Sequence, residues 1–270
     1  MCSNKITIIR KKKTCVFNSK KIVSECPKTI YKFYSLDRGI CRDEIRELNN
    51  KKFEALKNKK VWLSHFTNMN DPFEYCGIQS IDIDYNSETG AMYRGLEKVK
   101  GQLFFSSFTK NLNNASMWAY YANEYNGFCV SYSVEENINN PKEIKYANFS
   151  KNFSNEQYQS ICQKDENAVY NLIELKNRFI IKNKYWEHEE EYRVFDSEPN
   201  AIKRYSNENG FLRNLSEFGL SINAIYIGLK CSKENETVLI SIAKELNVKS
   251  YFMIKDENKM TFEFKEIKMK

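Results

Sequence analysis

Glu189, Glu191 and Arg193 occupy alternate positions of the segment YWEHEEEYRVF, residues 185–195. Alternate side chains of an extended chain share a face, so a strand over 189–195 sets two carboxylates, a guanidinium and then Phe195 on one side, about 7 Å apart. Tyr192 and Val194 fall on the other side and anchor the strand in a core. Two readings fit that row. It can be a ladder of cross-strand charge pairs, each contributing about 0.2–1 kcal/mol. It can also line a cleft, where Arg193 lowers the pKa of one glutamate and the second glutamate raises it.

Other polar residues sit at places where chemistry is feasible. Asn70 and Asp71 belong to TNMNDPFEYCG, a turn set by Asn-Asp-Pro and pinned by Phe73. Their side chains can bond a ligand or close an Asx turn, with Asp71 capping amides or pairing with Arg193. A metal-dependent nuclease would draw on Asp71, Glu74, Glu189 and Glu191, although these residues lack a recognised nuclease spacing. Glu174 and Lys176 form an Glu-x-Lys pair, but on a helix positions i and i+2 point to different sides. The two histidines, His65 and His188, cannot complete a Cys2His2 site with adjacent ligand pairs, and the eight cysteines include no CxxC pair. Reduced thiols and no metal site are expected. No phosphate loop, dinucleotide fingerprint, HExxH or GxSxG motif occurs.

Periodicity and turn chemistry define the elements that must position these residues. Residues 1–28 form an N-terminal extension in which two short apolar runs can pair as a hairpin. Strands are predicted at TIYKFYSL, VWLSHF, QLFFSSFT, 128–134, EIKYANF, EYRVFDS, AIYIGL, SYFMIK and TFEFKEI. Helices are predicted over 42–57, where Ile45, Leu48, Phe53 and Leu56 make an apolar face, over 92–99, and within ETVLISIAKEL. Another follows the cap residues Asn113 and Asn114, carries Met117, Trp118, Tyr120 and Tyr121, and stops by Gly127. A long helical region over 155–183 has Val169, Leu172, Ile173, Leu175, Phe179 and Ile180 as its apolar face. Strands and helices intermix without a βαβ rhythm. The expectation is one α+β domain over 29–270, with a mostly antiparallel sheet and flanking helices.

The bulk numbers agree with a globular chain. Its 270 residues are 41% hydrophobic and 14% aromatic, enough for a sizeable core, and no run approaches the length of a membrane span. Without a signal peptide the expected place is the cytoplasm. The net charge of +7 is spread through the chain, with no basic stripe interleaved with aromatics. A module that binds a nucleotide or nucleic acid through basic and aromatic groups, without catalysis, therefore stays open beside an enzyme.

Six segments in order carry a resemblance: YKFYS (31–35), LSHFTNMNDPFE (63–74), FSSFT (105–109), MWAYYANEYNGFCVSY (117–132), YWEHEEEYRVF (185–195) and IYIGLK (225–230). Together they resemble a large bacterial family of unknown function, over residues 30 to about 255. The motif order in turn looks like the ADP-ribosyltransferase fold of bacterial toxins and phage-defence effectors. That resemblance implies NAD as co-substrate, a protein or nucleic acid as acceptor, and a regulatory or antitoxin partner. It places Tyr31 and Lys32 at the first-strand NAD site, where many relatives have His or Arg. Ser106 and Ser107 take the middle element and Glu191 the catalytic glutamate, with Glu189 and Arg193 beside it. Lys32 or Arg193 would hold the pyrophosphate, and Trp118 or Tyr121 would stack on nicotinamide or adenine, with Asn70 and Asp71 as further ligand contacts. A carboxylate bonded to a ribose hydroxyl stabilises the cation-like transition state of glycosidic cleavage more than the ground state.

Overall fold

The computed structural model describes residues 26–37, 43–73, 84–148, 153–197 and 210–268. The possible hairpin of the N-terminal extension, and Glu74, lie outside them. The fold is mixed α/β around a curled, mostly antiparallel sheet. In chain order come β1 (Thr29–Tyr34), α1 (Asp43–Lys57), β2 (Lys60–His65), α2 (Glu88–Lys100), β3 (Leu103–Thr109), α3 (Ala115–Tyr120) and β4 (Phe128–Val134). Next are β5 (Lys142–Glu143), β6 (Lys145–Ala147), α4 (Asn155–Gln163), α5 (Ala168–Asn177), β7 (Ile181–Asn183) and β8 (Glu191–Ser197). The chain closes with β9 (Gly210–Asn214), β10 (Leu220–Ile227), α6 (Lys233–Leu246), β11 (Lys249–Asp256) and β12 (Thr261–Glu266).

The main sheet runs β12-β11-β10-β4-β1-β3-β2-β9, with β8 on β3 and β5 on β8. Its pairs are antiparallel except β10 with β11. One strand decides the shape. Along one edge β3 pairs with β8 over its whole length, from Leu103↔Ser197 to Thr109↔Glu191. Its other edge is shared: β1 meets it only at Tyr31↔Thr109, and β2 only at Ser64↔Phe105 and His65↔Phe104. Ser106, Ser107 and Phe108 therefore have no strand partner on that edge among the described residues. The sheet forks there, and α1, which connects β1 to β2, flanks the opening.

Apolar side chains pack on both faces of the sheet. One face of the sheet packs Phe104, Phe108, Tyr132 and Val194 against Phe53 and Leu56 of α1 and Leu239 and Ile242 of α6. The other face carries two clusters, one around Phe105, Tyr93 and Tyr158 under α2 and α4, the other around Phe33 and Trp118. Local caps mark the helix starts. Ser87, Asn114, Ser154 and Ser232 each accept from a first-turn amide, and Ser154 with Gln157 completes a capping box.

Several expectations change. The strand read over 189–195 begins at Glu191. Residues Lys184–Glu189 form a short 3-10 helix, and Glu190 turns the chain in the left-handed region at φ 45°. Alternation therefore does not extend back to Glu189. The helical region 155–183 breaks into α4, α5, a 3-10 turn and β7. Its apolar face is only partly core: Leu175 is buried and Phe179 packs beside it, while Val169 is 69% exposed and Ile173 54%. Leu48 is likewise exposed. EIKYANF divides into β5 and β6, because Ile144 turns inward between them.

Candidate functional site

The fork encloses a cleft of about 980 Å³. Its floor is the unpaired stretch of β3 together with the start of β8. There Glu191 is 3% and Arg193 1% exposed, so the charged side of β8 is as buried as the Tyr192 and Val194 side. Burying ions costs several kcal/mol each unless they are paired. These are paired closely. Arg193 gives Nε to Glu191 Oε1 at 2.6 Å and a terminal nitrogen to Oε2 at 2.9 Å. Lys182 Nζ lies 3.4 Å from Glu191 Oε2 and 2.6 Å from Glu189 Oε2. The Tyr121 hydroxyl donates to Glu189 Oε1, and Asn70 bonds that hydroxyl in turn.

Each of these groups is held by a second element. The Lys182 ammonium sits 4.6 Å from the centre of the Trp186 ring, and the Arg193 guanidinium 4.2 Å from that of Phe105. The Glu191 amide donates to the Tyr146 hydroxyl at 2.8 Å. Asn114 caps α3 and donates its amide to the His188 carbonyl, which ties α3 to the 3-10 helix that carries Glu189. Burial alone would raise the Glu191 pKa. The charges of Arg193 and Lys182, with hydrogen bonds from Arg193 and Ser107, outweigh it and hold the carboxyl at about 2. Burial likewise disfavours the Lys182 ammonium, but Glu191 and Glu189 together raise its pKa.

Lys32 enters the fork from β1. Its ammonium donates to the Ser107 carbonyl at 3.1 Å and lies over the Tyr34 and Phe108 rings. Burial lowers its pKa to about 8, against the pull of Glu191. Ser106 is buried beside it, lines the cleft, and its hydroxyl has no hydrogen-bond partner. A buried orphan hydroxyl costs about 1–3 kcal/mol unless something supplies a partner.

The fold brings most of the expected residues to one place. Tyr31, Lys32, Asn70, Ser106, Ser107, Tyr121, Glu189, Glu191 and Arg193 all line the cleft. Two do not. Trp118 is fully buried, with its indole N–H on the Leu112 carbonyl at 2.8 Å and its ring on Phe33, so it has no face to offer a ligand. Asp71 is buried in the Asx turn, accepting from the Phe73 amide at 2.9 Å, rather than paired with Arg193. Among the described residues no three His, Cys, Asp or Glu side chains converge on a metal position, Asp71, Glu189 and Glu191 included. Sequence reasoning missed Lys182. It lies on a three-residue strand too short to show a period, and only its place two residues before the Lys184–Glu189 turn could have drawn notice.

Residues 117–194 match the model of a family described as Protein of unknown function (DUF2971). No curated protein and no solved structure matches the chain. The matched segment contains Tyr121, Lys182, Glu189, Glu191 and Arg193, the whole ion-pair network. Tyr31, Lys32, Ser106 and α1 lie before it. No described helix is long and apolar enough to cross a membrane.

Proposed function

We propose that the cleft binds NAD and that the protein is an ADP-ribosyltransferase-like effector, transferring ADP-ribose to a protein or nucleic acid. One observation carries the reading: an ionised glutamate, Glu191, is fixed by Arg193 and Lys182 at the floor of a cleft of about 980 Å³. That volume lies at the large end of small-molecule sites and suits a dinucleotide. Lys32 offers a cation for a pyrophosphate, and the Ser106 hydroxyl lacks the partner a ligand would provide.

In the reaction the bond from the nicotinamide nitrogen to ribose C1′ breaks, and its electron pair leaves with nicotinamide. A new bond forms from C1′ to the acceptor nucleophile, whose proton passes to solvent. Glu191 stays anionic through neutral pH and stabilises positive charge developing on the ribose. Tyr121 and Asn70 hold Glu189 beside it.

A second reading, nucleotide binding without turnover, is favoured by a specific feature. The four lone-pair sites of the Glu191 carboxylate already meet two Arg193 donors, Lys182 and Ser107. The two readings part in one assay. Purified protein is incubated with labelled NAD and cell lysate, and nicotinamide release and label transfer are followed, with Glu189→Gln and Glu191→Gln in parallel. Release and transfer that disappear in the variants, with melting curves still cooperative, support the transferase. NAD binding by calorimetry without release sinks the transferase and leaves the binding module, and no binding at millimolar NAD sinks the transferase and leaves the cleft to another nucleotide.

A further inference from the structure

Trp62 stands on β2, outside the ion-pair network, and takes no part in the reaction above. Its indole rests on Gly210 of β9: a Cβ there would lie 2.7 and 2.8 Å from Cε2 and Cζ2 of the ring. Glycine is what lets the ring lie against that strand. Trp62 is nevertheless 41% exposed, and it lines the cleft together with Lys52 and Lys60. A flat aromatic surface backed by a strand, in a cleft that lysines also line, suits a base that carries phosphate.

The charges of the cleft point the same way. Of the three carboxylates lining it, Glu189 and Glu191 are committed to Lys182 and Arg193, which leaves Glu54 against Lys32, Lys52 and Lys60, while Lys51 on the rim is paired with Glu47 at 2.8 Å. Lys52 is held in place by bonds to the Ser35 carbonyl at 2.7 Å and the Ser35 hydroxyl at 3.0 Å. The orphan hydroxyl of Ser106, in the same cleft, independently marks a place for a polar ligand group. We infer that Trp62, seated on Gly210 in a cleft that Lys52 and Lys60 also line, is the stacking platform for the base of a phosphate-bearing nucleotide. Its assignment to the adenosine phosphate half of NAD rests on the transferase reading; the nucleotide platform itself does not.

The test titrates the full chain with AMP by calorimetry at low and moderate salt, alongside Trp62→Ala, Trp62→Tyr and Lys60→Gln. AMP is expected to bind saturably, and Trp62→Ala to weaken it by about five- to a hundredfold, the range for loss of base stacking. Trp62→Tyr restores most of the affinity, and Lys60→Gln lowers the salt dependence. Unchanged AMP affinity in Trp62→Ala, or no AMP binding at millimolar concentration, overturns the platform. So does Trp62-dependent binding of a single-stranded oligonucleotide without AMP binding, which assigns the surface to nucleic acid. Nicotinamide release is followed in parallel. Its absence beside Trp62-dependent AMP binding retires the transferase alone, whereas turnover with an unchanged KM for NAD in Trp62→Ala retires the assignment of the platform to the adenosine half of NAD.

Discussion

Glu191 is the anion that Arg193 and Lys182 share, Lys182 having Glu189 as a second partner. In Glu191→Gln, Arg193 and Lys182 keep their charges but lose their common counter-ion, and breaking a buried pair this way costs about 3–5 kcal/mol. Urea unfolding at pH 7 should show that loss. A loss below about 1 kcal/mol would mean that the network is not structural. The pH dependence has a definite sign. The folded pKa is about 2 against an ordinary glutamate value of 4.5, so the unfolded chain binds the proton more readily between those values. The stabilisation is complete above pH 4.5 and disappears as pH falls toward 2. Over that window the native protein should lose more stability than Glu191→Gln.

Lys32 has the opposite sign. Burial lowers its pKa from 10.5 to about 8, so between pH 8 and 10.5 the unfolded lysine holds a proton that the folded one has released. Stability should rise with pH across that window. Lys32→Met should remove the rise and stabilise the protein at pH 7, which urea midpoints from pH 7 to 10.5 would reveal. Such a destabilising lysine fits a group kept for a ligand rather than for the fold, and a destabilised Lys32→Met would argue against that.

Among the elements, α3 has consequences beyond its six residues. Asn114 accepts from the amides of Ser116 and Met117 at its start and donates to the His188 carbonyl. Asn114→Ala removes the cap, at about 1 kcal/mol, and frees the segment that carries Glu189. Amide exchange should quicken over 184–190 as well as in α3. Faster exchange in α3 alone would show that the tie to His188 is not maintained. This helix was readable from its asparagine cap, and the strand Phe128–Val134 after it was predicted with the bounds observed. The core of β8 was equally legible through Tyr192 and Val194. Glu189 was harder, because a left-handed turn at Glu190 replaced two-residue alternation with a helical approach to the same cleft. The exposed face of α5 shows the limit of periodicity. Val169, Leu172 and Ile173 recur as a buried face would, yet no described element packs over them. Lys182 and the fork carried no local pattern at all, since both arise from how distant strands meet.

At the scale of the molecule, the fork is a weak seam. A single pair, Tyr31↔Thr109, joins β1 to β3, whereas six pairs join β1 to β4 and seven join β3 to β8. The two parts of the sheet are thus each well made, and the cleft lies along the line where they meet least. A ligand seated there touches β1 and α1 on one side and β2 and β3 on the other, so it must stabilise the seam as a whole. Occupied at a hundred times its Kd, such a site adds about 2.7 kcal/mol to the folded state. With NAD at that excess the melting temperature should rise. Amide exchange should slow in β1, α1 and the 106–108 stretch of β3, while β12 and α5, which do not line the cleft, stay unchanged. Stabilisation with protection confined to α5 or β12 would place the ligand elsewhere and leave the ion pairs of Glu191 as architecture.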